Sequence, residues 1–464
     1  MISTGASPET QGGPSCGWLK RPWLATAWTV IAAFGAYACM YGFRKPFAAG
    51  GYTGTEFGSS LKTWLVTAQV LGYASAKFLG IKIISELTPN RRASLFLLLI
   101  GVAELGLLLF AVSPAPYNDV LCMVINGFPL GLVFGLVLGF VEGKRLTEVF
   151  AAGLCASFII ADGWAKSVGV WLLHRGVSER AMPYTAGLIF APPLMLFIWM
   201  LTRVPPPTAS DVAARSERCP MTGMERIQML RHHHVGLLTI IAAYLLITVL
   251  RSIRADFAPE IWAGLGLDSS VVSFTQPEIW VALGAVTANG LVVLVKDNRR
   301  ALITALALSI AGPLIGLAAL FCQEHHLLPP FVFMVALGLG IYLPYVAVHT
   351  TIFERLIALT RDRGNIGYLI YLADAAGYLG YAVVMLLKSA FPSEPAFLPF
   401  FLGLSACVLL AALIALSLAL ANYVRLRPPK PHQEIVRSKS PQAQPAKGQS
   451  TFSGSTSSPA PNTP

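Results

Sequence analysis

Two arginines set in apolar sequence, each seven residues after a tyrosine, carry the strongest chemical signal in the chain. Tyr37 and Arg44 lie in VIAAFGAYACMYGFRKPF, and Tyr244 and Arg251 lie in TIIAAYLLITVLRSIR. Seven residues make two helical turns, so each tyrosine shares a helix face with its arginine. An ionisable group in a membrane span costs about 2.5–3.5 kcal/mol on insertion scales, and it normally faces a cavity or a partner. A guanidinium offers a planar fork of donors suited to phosphate or carboxylate. Two of them converging on one point would bind a small anion. The other reading is that both sit at helix ends and snorkel to the membrane surface, an option that Pro46, close behind Arg44, leaves open.

Further candidates sit in similar surroundings. Lys77, in LGYASAKFLG, either contacts substrate or pairs with a buried carboxylate such as Glu104, and Tyr73 precedes it by one turn. Tyr41 lies between Tyr37 and Arg44, while Lys45 points about 100° away from Arg44 and reads as a snorkelling residue. Asp162 has Lys166 four residues later, an i,i+4 pair able to neutralise itself. Asp374 has no such neighbour. As a lone intramembrane carboxylate it suits proton carriage or an ion pair with Arg44 or Arg251, and Glu104 presents the same choice. NRRA occurs at 90–93 and again at 298–301, placing Arg91, Arg92, Arg299 and Arg300 on short turns where they set topology and gate an inner mouth. The histidines of HHH at 232–234 point in three directions on a helix, which suits a loop edge better than a metal site. No GxxxxGK, GxSxG or HExxH occurs, and nothing calls for a cofactor or a metal.

The elements that must position these residues follow from composition. Of 464 residues, 55% are hydrophobic and 12% charged, with a mean hydropathy of +0.63. Soluble domains carry about 25% charged residues, so a soluble enzyme, a nucleic-acid-binding protein and a disordered regulator are excluded. Twelve apolar runs of spanning length fall near 22–44, 63–85, 93–112, 119–141, 149–173, 184–202, 231–252, 275–295, 301–322, 331–353, 365–387 and 398–424. They divide into six-helix bundles at 22–202 and 231–424, joined by a polar, Pro-rich linker at 203–230. A disordered segment at 1–21 precedes them and a disordered tail at 425–464 follows. No cleavable signal peptide is apparent. With the N-terminus inside, 24 of the 34 Lys and Arg fall on cytoplasmic segments, four fall outside (Lys62, Arg175, Arg180 and Lys388), and both termini are cytoplasmic. This bias absorbs much of the net charge of +11 without any nucleic acid.

An internal repeat sharpens the division. Tyr37 and Arg44 recur as Tyr244 and Arg251 at an offset of 207, NRRA recurs at 208, and Ala161–Asp162 recurs as Ala373–Asp374 at 212. MPYTAGL at 182 is echoed by LPFFLGL at 398, at 216. Four matches in one order describe a duplicated six-helix unit. Parallel repeats of this kind place the substrate site between the halves.

The layout resembles the major facilitator superfamily, and within it the organophosphate:phosphate antiporters. AYACMYGFRKPF is similar to that family's tyrosine-rich first segment ending in Arg-Lys, GYASAKF to its Tyr-x-x-x-Lys-Phe segment, and LRSIRADFAPEIW to the segment that holds its second substrate arginine. CMYGFRKPF, NGFPLGLVFGLVLGFVEGKR and YLADAAGYLG also resemble an uncharacterised bacterial family built on a domain of unknown function, a likeness that spans roughly residues 22–425. The resemblance implies an all-α membrane protein of twelve helices in two pseudo-symmetric halves. It further implies a secondary transporter in the bacterial inner membrane that moves a small organic anion, a phosphorylated metabolite or a carboxylate, with a proton or phosphate as counter-substrate. Arg44, Arg251, Lys77, Tyr37, Tyr41, Tyr73 and Tyr244 would bind the substrate, and Asp162, Asp374 or Glu104 would couple it. The chain departs from the antiporter pattern at Asp162, where that family has a histidine, at Thr248 in place of a tyrosine, and at the additional Arg254. A carboxylate beside the site favours proton coupling. A membrane sensor that binds an anion without moving it is the alternative, and the sequence carries no sign of oligomeric state.

Overall fold

The computed structural model describes residues 21–52, 61–85, 87, 89–113, 116–141, 147–205, 223–267, 274–360, 366–390 and 397–425. Of the segments expected to be disordered, 1–21 and 425–464, all but Arg21 and Arg425 lie outside them, Arg425 ending the last helix, and Lys144, Arg145, Arg361 and Arg363 of the topology count lie outside them too. The described residues form fifteen α-helices: α1 (Pro22–Tyr41), α2 (Leu61–Ser85), α3 (Arg92–Val112), α4 (Pro116–Val141), α5 (Thr147–His174), α6 (Met182–Thr202), α7 (Gly223–His232), α8 (His234–Asp256), α9 (Ala258–Gly264), α10 (Thr275–Val293), α11 (Asn298–Glu324), α12 (Pro330–Ala347), α13 (Phe353–Thr360), α14 (Ile366–Ala390) and α15 (Phe397–Arg425).

Twelve of these helices have at least 18 residues. Among the described residues, ten are also apolar enough to cross a membrane. The other two are α2, which carries Lys62, Lys77 and Lys82, and α10, which opens on Thr275-Gln-Pro-Glu278. The outward faces are apolar, with Leu98, Leu105, Met195, Trp199, Leu291 and Leu418 each about half exposed, as hydrocarbon requires. The chain is an all-α membrane protein.

One pairing scheme occurs twice. In the first set α2 packs on α4, α3 on α4, α1 on α5 and α6, and α3 on α6; in the second α10 packs on α12, α11 on α12, α8 on α14 and α15, and α11 on α15. The sets meet chiefly where α5 packs on α10 and α2 on α14. The echoed MPYTAGL and LPFFLGL open α6 and α15, the corresponding last helices. Below, the end of the bundle where α1 begins is called basal and the opposite end distal.

Several boundaries differ from the sequence reading. The first span was expected to run through Arg44, but α1 stops at Tyr41, where Gly42 and the approach of Pro46 disfavour helix. A 3-10 turn, Pro46–Ala49, follows. With no proline before Pro259, the corresponding α8 continues to Asp256, so Arg251 is helical where Arg44 is not. The expected linker contains α7, whose sequence GMERIQMLRH has strong helix formers and no proline. The expected tenth span is broken into α12, a π turn at Val348–Ile352, and α13.

The close approach of α2 and α4 depends on glycine. A Cβ at Gly127 would lie 2.1 Å from the Gln69 carbonyl oxygen, and one at Gly131 would lie 2.6 Å from that of Tyr73. Small residues at these crossings let backbones touch.

Candidate functional site

Three helices carry polar stripes that share three layers across the bundle. On α14 the stripe is Asp374, Tyr378 and Tyr381, spaced four and three residues apart and so rising about 10 Å. On α8 it is Tyr244, Arg251 and Asp256, and on α2 it is Lys77 and Tyr73.

In the basal layer, Lys77 Nζ of α2 donates to Asp374 Oδ2 of α14 at 2.9 Å, and the Tyr244 hydroxyl donates to Oδ1 of the same carboxylate. His349 Nε2 lies 3.7 Å from that Oδ1. The sequence reading left Lys77 either to substrate or to a buried carboxylate such as Glu104, and gave Asp374 either proton carriage or an ion pair with Arg44 or Arg251. Glu104 instead faces α6 beside Gly187, with neither carboxylate oxygen hydrogen-bonded among the described residues, and the packing of α2 on α14 brings Lys77 to Asp374.

The middle layer holds both arginines. The Arg44 guanidinium stacks 3.9 Å above the Tyr73 ring and lies 5.5 Å from that of Tyr378. Arg251 donates from Nη2 to the Tyr378 hydroxyl at 3.0 Å and sits 4.7 Å from the Tyr345 ring. Tyr73 and Tyr378 pack at 4.6 Å between centroids. Tyr378 therefore touches both guanidinium groups. Tyr37 packs edge-on against Tyr41 and Phe134 at 5.7 and 5.5 Å, and Tyr244 stacks on Tyr345 at 5.1 Å. All of these side chains are buried, so the snorkelling reading of Arg44 and Arg251 does not hold.

Backbone contacts fix the turn that carries Arg44. Asn126 Nδ2 donates to the carbonyls of Phe43 and Ala103, and Gln69 Nε2 donates to the Arg44 carbonyl and to Asn126 Oδ1. Two amide side chains thereby supply the donors that a continuing helix would have provided.

The distal layer is a network of charges. Lys45 Nζ lies 2.5 Å from Asp256 Oδ1 and 3.3 Å from Asp162 Oδ1, and Lys166 donates to Asp162 Oδ2 at 2.6 Å and to the Ala255 carbonyl at 2.8 Å. Tyr381 donates to Asp256 at 2.9 Å, and Lys62 meets Glu260 at 2.5 Å. The i,i+4 pair of Asp162 and Lys166 forms as expected. Lys45 is a correction: rather than snorkelling, it is 4% exposed and bridges the two helix sets, because the turn after Tyr41 sends it inward. Lys62, assigned by the topology count to the outer side of the membrane, is 2% exposed. Asp162 and Asp374, matched in the repeat, do not share a depth, since Asp162 joins the distal network and Asp374 the basal layer.

The described residues contain seven buried basic side chains: Arg44, Lys45, Lys62, Lys77, Lys166, Arg251 and Arg254. Five have a carboxylate of their own within 4.0 Å: Asp256 for Lys45, Glu260 for Lys62, Asp374 for Lys77, Asp162 for Lys166, and Glu278 for Arg254 at 2.7 Å. Among the described residues Arg44 and Arg251 have none, and the Nε atoms of both lack a hydrogen-bond acceptor. Two positive charges are thus left over between two layers that neutralise themselves. Among the described residues the buried Thr248 and Ser252 hydroxyls on α8 also have no hydrogen-bond partner.

The NRRA arginines lie apart from these layers. Arg92 Nη1 donates to the Gly139 carbonyl of α4, and Arg299 Nη2 donates to that of Val424 on α15 at 2.7 Å. Each joins helices within one set. Arg91 is exposed at the end of a 3-10 turn, and the Arg300 amide is capped by Asp297 at 2.8 Å. Sequence reasoning missed Tyr378, Tyr345, Tyr381, Asp256 and His349. Tyr378 had a signal, because it follows Asp374 by one turn in YLADAAGYLG.

Comparison with solved structures places the fold. The chain is similar to a D-xylose-proton symporter (TM-score 0.56, 15% identity, covering 85% of this chain and 97% of that one). It is also similar to a mutant of the nucleoside transporter NupG (TM-score 0.53, 15% identity, covering 84% of this chain and 99% of that one). At this identity the likeness is one of fold. No curated protein matches the chain in sequence. A family model described as a family of unknown function, DUF5690, matches residues 46–427, and the chain belongs to that family.

Proposed function

We propose that the chain is a secondary active transporter for a small organic anion, held between Arg44 and Arg251. The observation that carries this reading is the pair of buried guanidinium groups without a carboxylate, flanked by five buried cations that each have one. An unpaired buried charge costs several kcal/mol, so a ligand that supplies the missing negative charge is strongly favoured. Two surplus charges suit an anion of two charges, such as a phosphate monoester or a dicarboxylate. The tyrosines hold the guanidinium planes by cation–π contact and offer hydroxyls for orientation. Lys77 adds a third cation once Asp374 is drawn away.

Transport requires the layers on either side of the arginines to open in turn. The bundles at 22–202 and 231–424 would rock about this site, with the Lys45–Asp256 and Lys62–Glu260 links closing the distal side and Lys77–Asp374 the basal side. The fold similarity to two transporters supports this cycle over an enzyme. We place the protein in the bacterial inner membrane with both termini cytoplasmic, which makes the basal face the cytoplasmic one, and its antiporter-like segments favour exchange or proton coupling. The experiment is exchange in proteoliposomes: vesicles loaded with inorganic phosphate, glycerol phosphate or succinate are tested for uptake of the same labelled anions, with and without an imposed pH gradient. Uptake of any of them, abolished by Arg44→Gln and by Arg251→Gln, supports the reading. Binding without uptake would indicate a sensor, and uptake unchanged in both variants would refute the site.

A further inference from the structure

His349 lies where α12 gives up regular winding. Val348–Ile352 form a π turn, a widening that recurs at functional sites within helices. The His349 ring is enclosed by Tyr345, Tyr244, Phe158 and Phe134, with centroids 4.8, 5.5, 6.0 and 6.3 Å away. Its Nδ1 lies 3.0 Å from the Tyr345 carbonyl oxygen. A carbonyl only accepts, so Nδ1 carries the hydrogen, and in the neutral ring Nε2 keeps a lone pair. That lone pair faces Asp374 Oδ1 at 3.7 Å and the Tyr244 hydroxyl oxygen at 3.5 Å. The Tyr244 hydrogen is already given to Asp374. An empty proton acceptor therefore stands beside the carboxylate that Lys77 holds from the other side.

We propose that His349 Nε2 is a proton-binding site that controls the Lys77–Asp374 link between α2 and α14. With the ring neutral, Lys77 and Tyr244 share the carboxylate. A proton taken from water by the Nε2 lone pair makes the ring a cation with a second donor, and Asp374 is then divided between His349 and Lys77. The link from α2 to α14 weakens and the basal side is freer to open; loss of the same proton restores it. The groups facing the ring are Asp374 from α14, Tyr244 from α8, Tyr345 from α12 and, through Asp374, Lys77 from α2. Helices α4 and α5 present the uncharged Phe134 and Phe158, with Cys155 one turn before the latter. Among the described residues no other carboxylate or cation reaches ion-pair distance of His349.

This inference goes beyond the anion reading, and its test uses no anion. Nitrogen-15 histidine spectra are recorded on the full chain in lipid nanodiscs from pH 8 to pH 5, with the His349 signals identified by their loss in His349→Gln and His349→Asn. The expected result is a neutral ring with its hydrogen on Nδ1 at pH 8 and both nitrogens protonated at pH 5. In parallel, spin labels at Arg203→Cys and Lys296→Cys, exposed positions following α6 and α10, report basal separation in a background without the native cysteines. A longer distance should appear at pH 5, be absent in His349→Gln, and be present at both pH values in Lys77→Met. A ring that stays neutral to pH 5, a hydrogen on Nε2 at pH 8, or a basal distance that His349→Gln leaves pH-sensitive would each overturn the proposal.

Discussion

Lys77 and Asp374, 297 residues apart in sequence, join their charges at 2.9 Å, and both are almost completely buried. The bond ties α2 to α14 and fixes the carboxylate that Tyr244 and His349 also face. Removing one partner of a buried pair costs about 3–5 kcal/mol, because the other charge is stranded. Lys77→Met and Asp374→Asn should each lower the thermal midpoint in detergent. The double variant should lose less than the sum of the two, and strict additivity would mean that the pair does not interact in the native state.

Arg44 and Arg251 should behave in the opposite way. Neither has a carboxylate among the described residues, so replacing one strands no opposite charge and removes an uncompensated one, although Arg251 also gives up its hydrogen bond to the Tyr378 hydroxyl. The cation–π attraction given up, about 0.5–2 kcal/mol, is smaller than the several kcal/mol that an isolated buried ion costs. Arg251→Met is therefore expected to melt at or above wild type when ligand-free, whereas Lys77→Met melts below it. Differential scanning fluorimetry on both proteins in one buffer checks this contrast.

Distal closure rests on Lys45 and Asp256. Lys45→Met cuts a link 211 residues long in sequence and leaves Asp256, among the described residues, with the Tyr381 hydrogen bond. A cysteine at the neighbouring buried Ser252 should then react with an impermeant maleimide at least several-fold faster than in a wild-type background. An unchanged labelling rate would place the distal seal elsewhere.

Gly131 fixes the height of Tyr73 beneath Arg44. A methyl group there meets the Tyr73 carbonyl at 2.6 Å, whereas one at exposed Gly290 meets nothing within 4 Å. Overpacking costs about 1–3 kcal/mol, and alanine in an open helical position gains up to about 1 kcal/mol over glycine. Gly131→Ala should destabilise the protein and weaken anion binding, while Gly290→Ala should do neither, as melting curves with and without anion will show.

The fold was legible because hydropathy and the repeat act over whole helices. Tyr37 with Arg44 and Tyr244 with Arg251 marked the duplicated unit, and one scheme of helix packing recurs in both sets. The candidate site was legible only where one helix sufficed: Asp162 and Lys166 are four residues apart, and helical geometry alone joins them. The partners of Lys77 and Lys45 were hidden, because Asp374 and Asp256 reach them only when the two helix sets meet. Lys45 was misread for a local reason, since the angle of 100° from Arg44 presumes a helix that Gly42 and Pro46 bring to an end. His349 gave no signal, as a π turn leaves no period in the sequence.

The central claim is that Arg44 and Arg251 together bind an anion. Its most direct measurement is the ligand-induced shift in melting temperature for wild type, Arg44→Gln and Arg251→Gln across a panel of phosphate monoesters, dicarboxylates and their uncharged analogues. The account expects at least one dianion to raise the wild-type midpoint by several degrees, its uncharged analogue to do nothing, and the shift to vanish in both variants. An equal shift in all three proteins would contradict it.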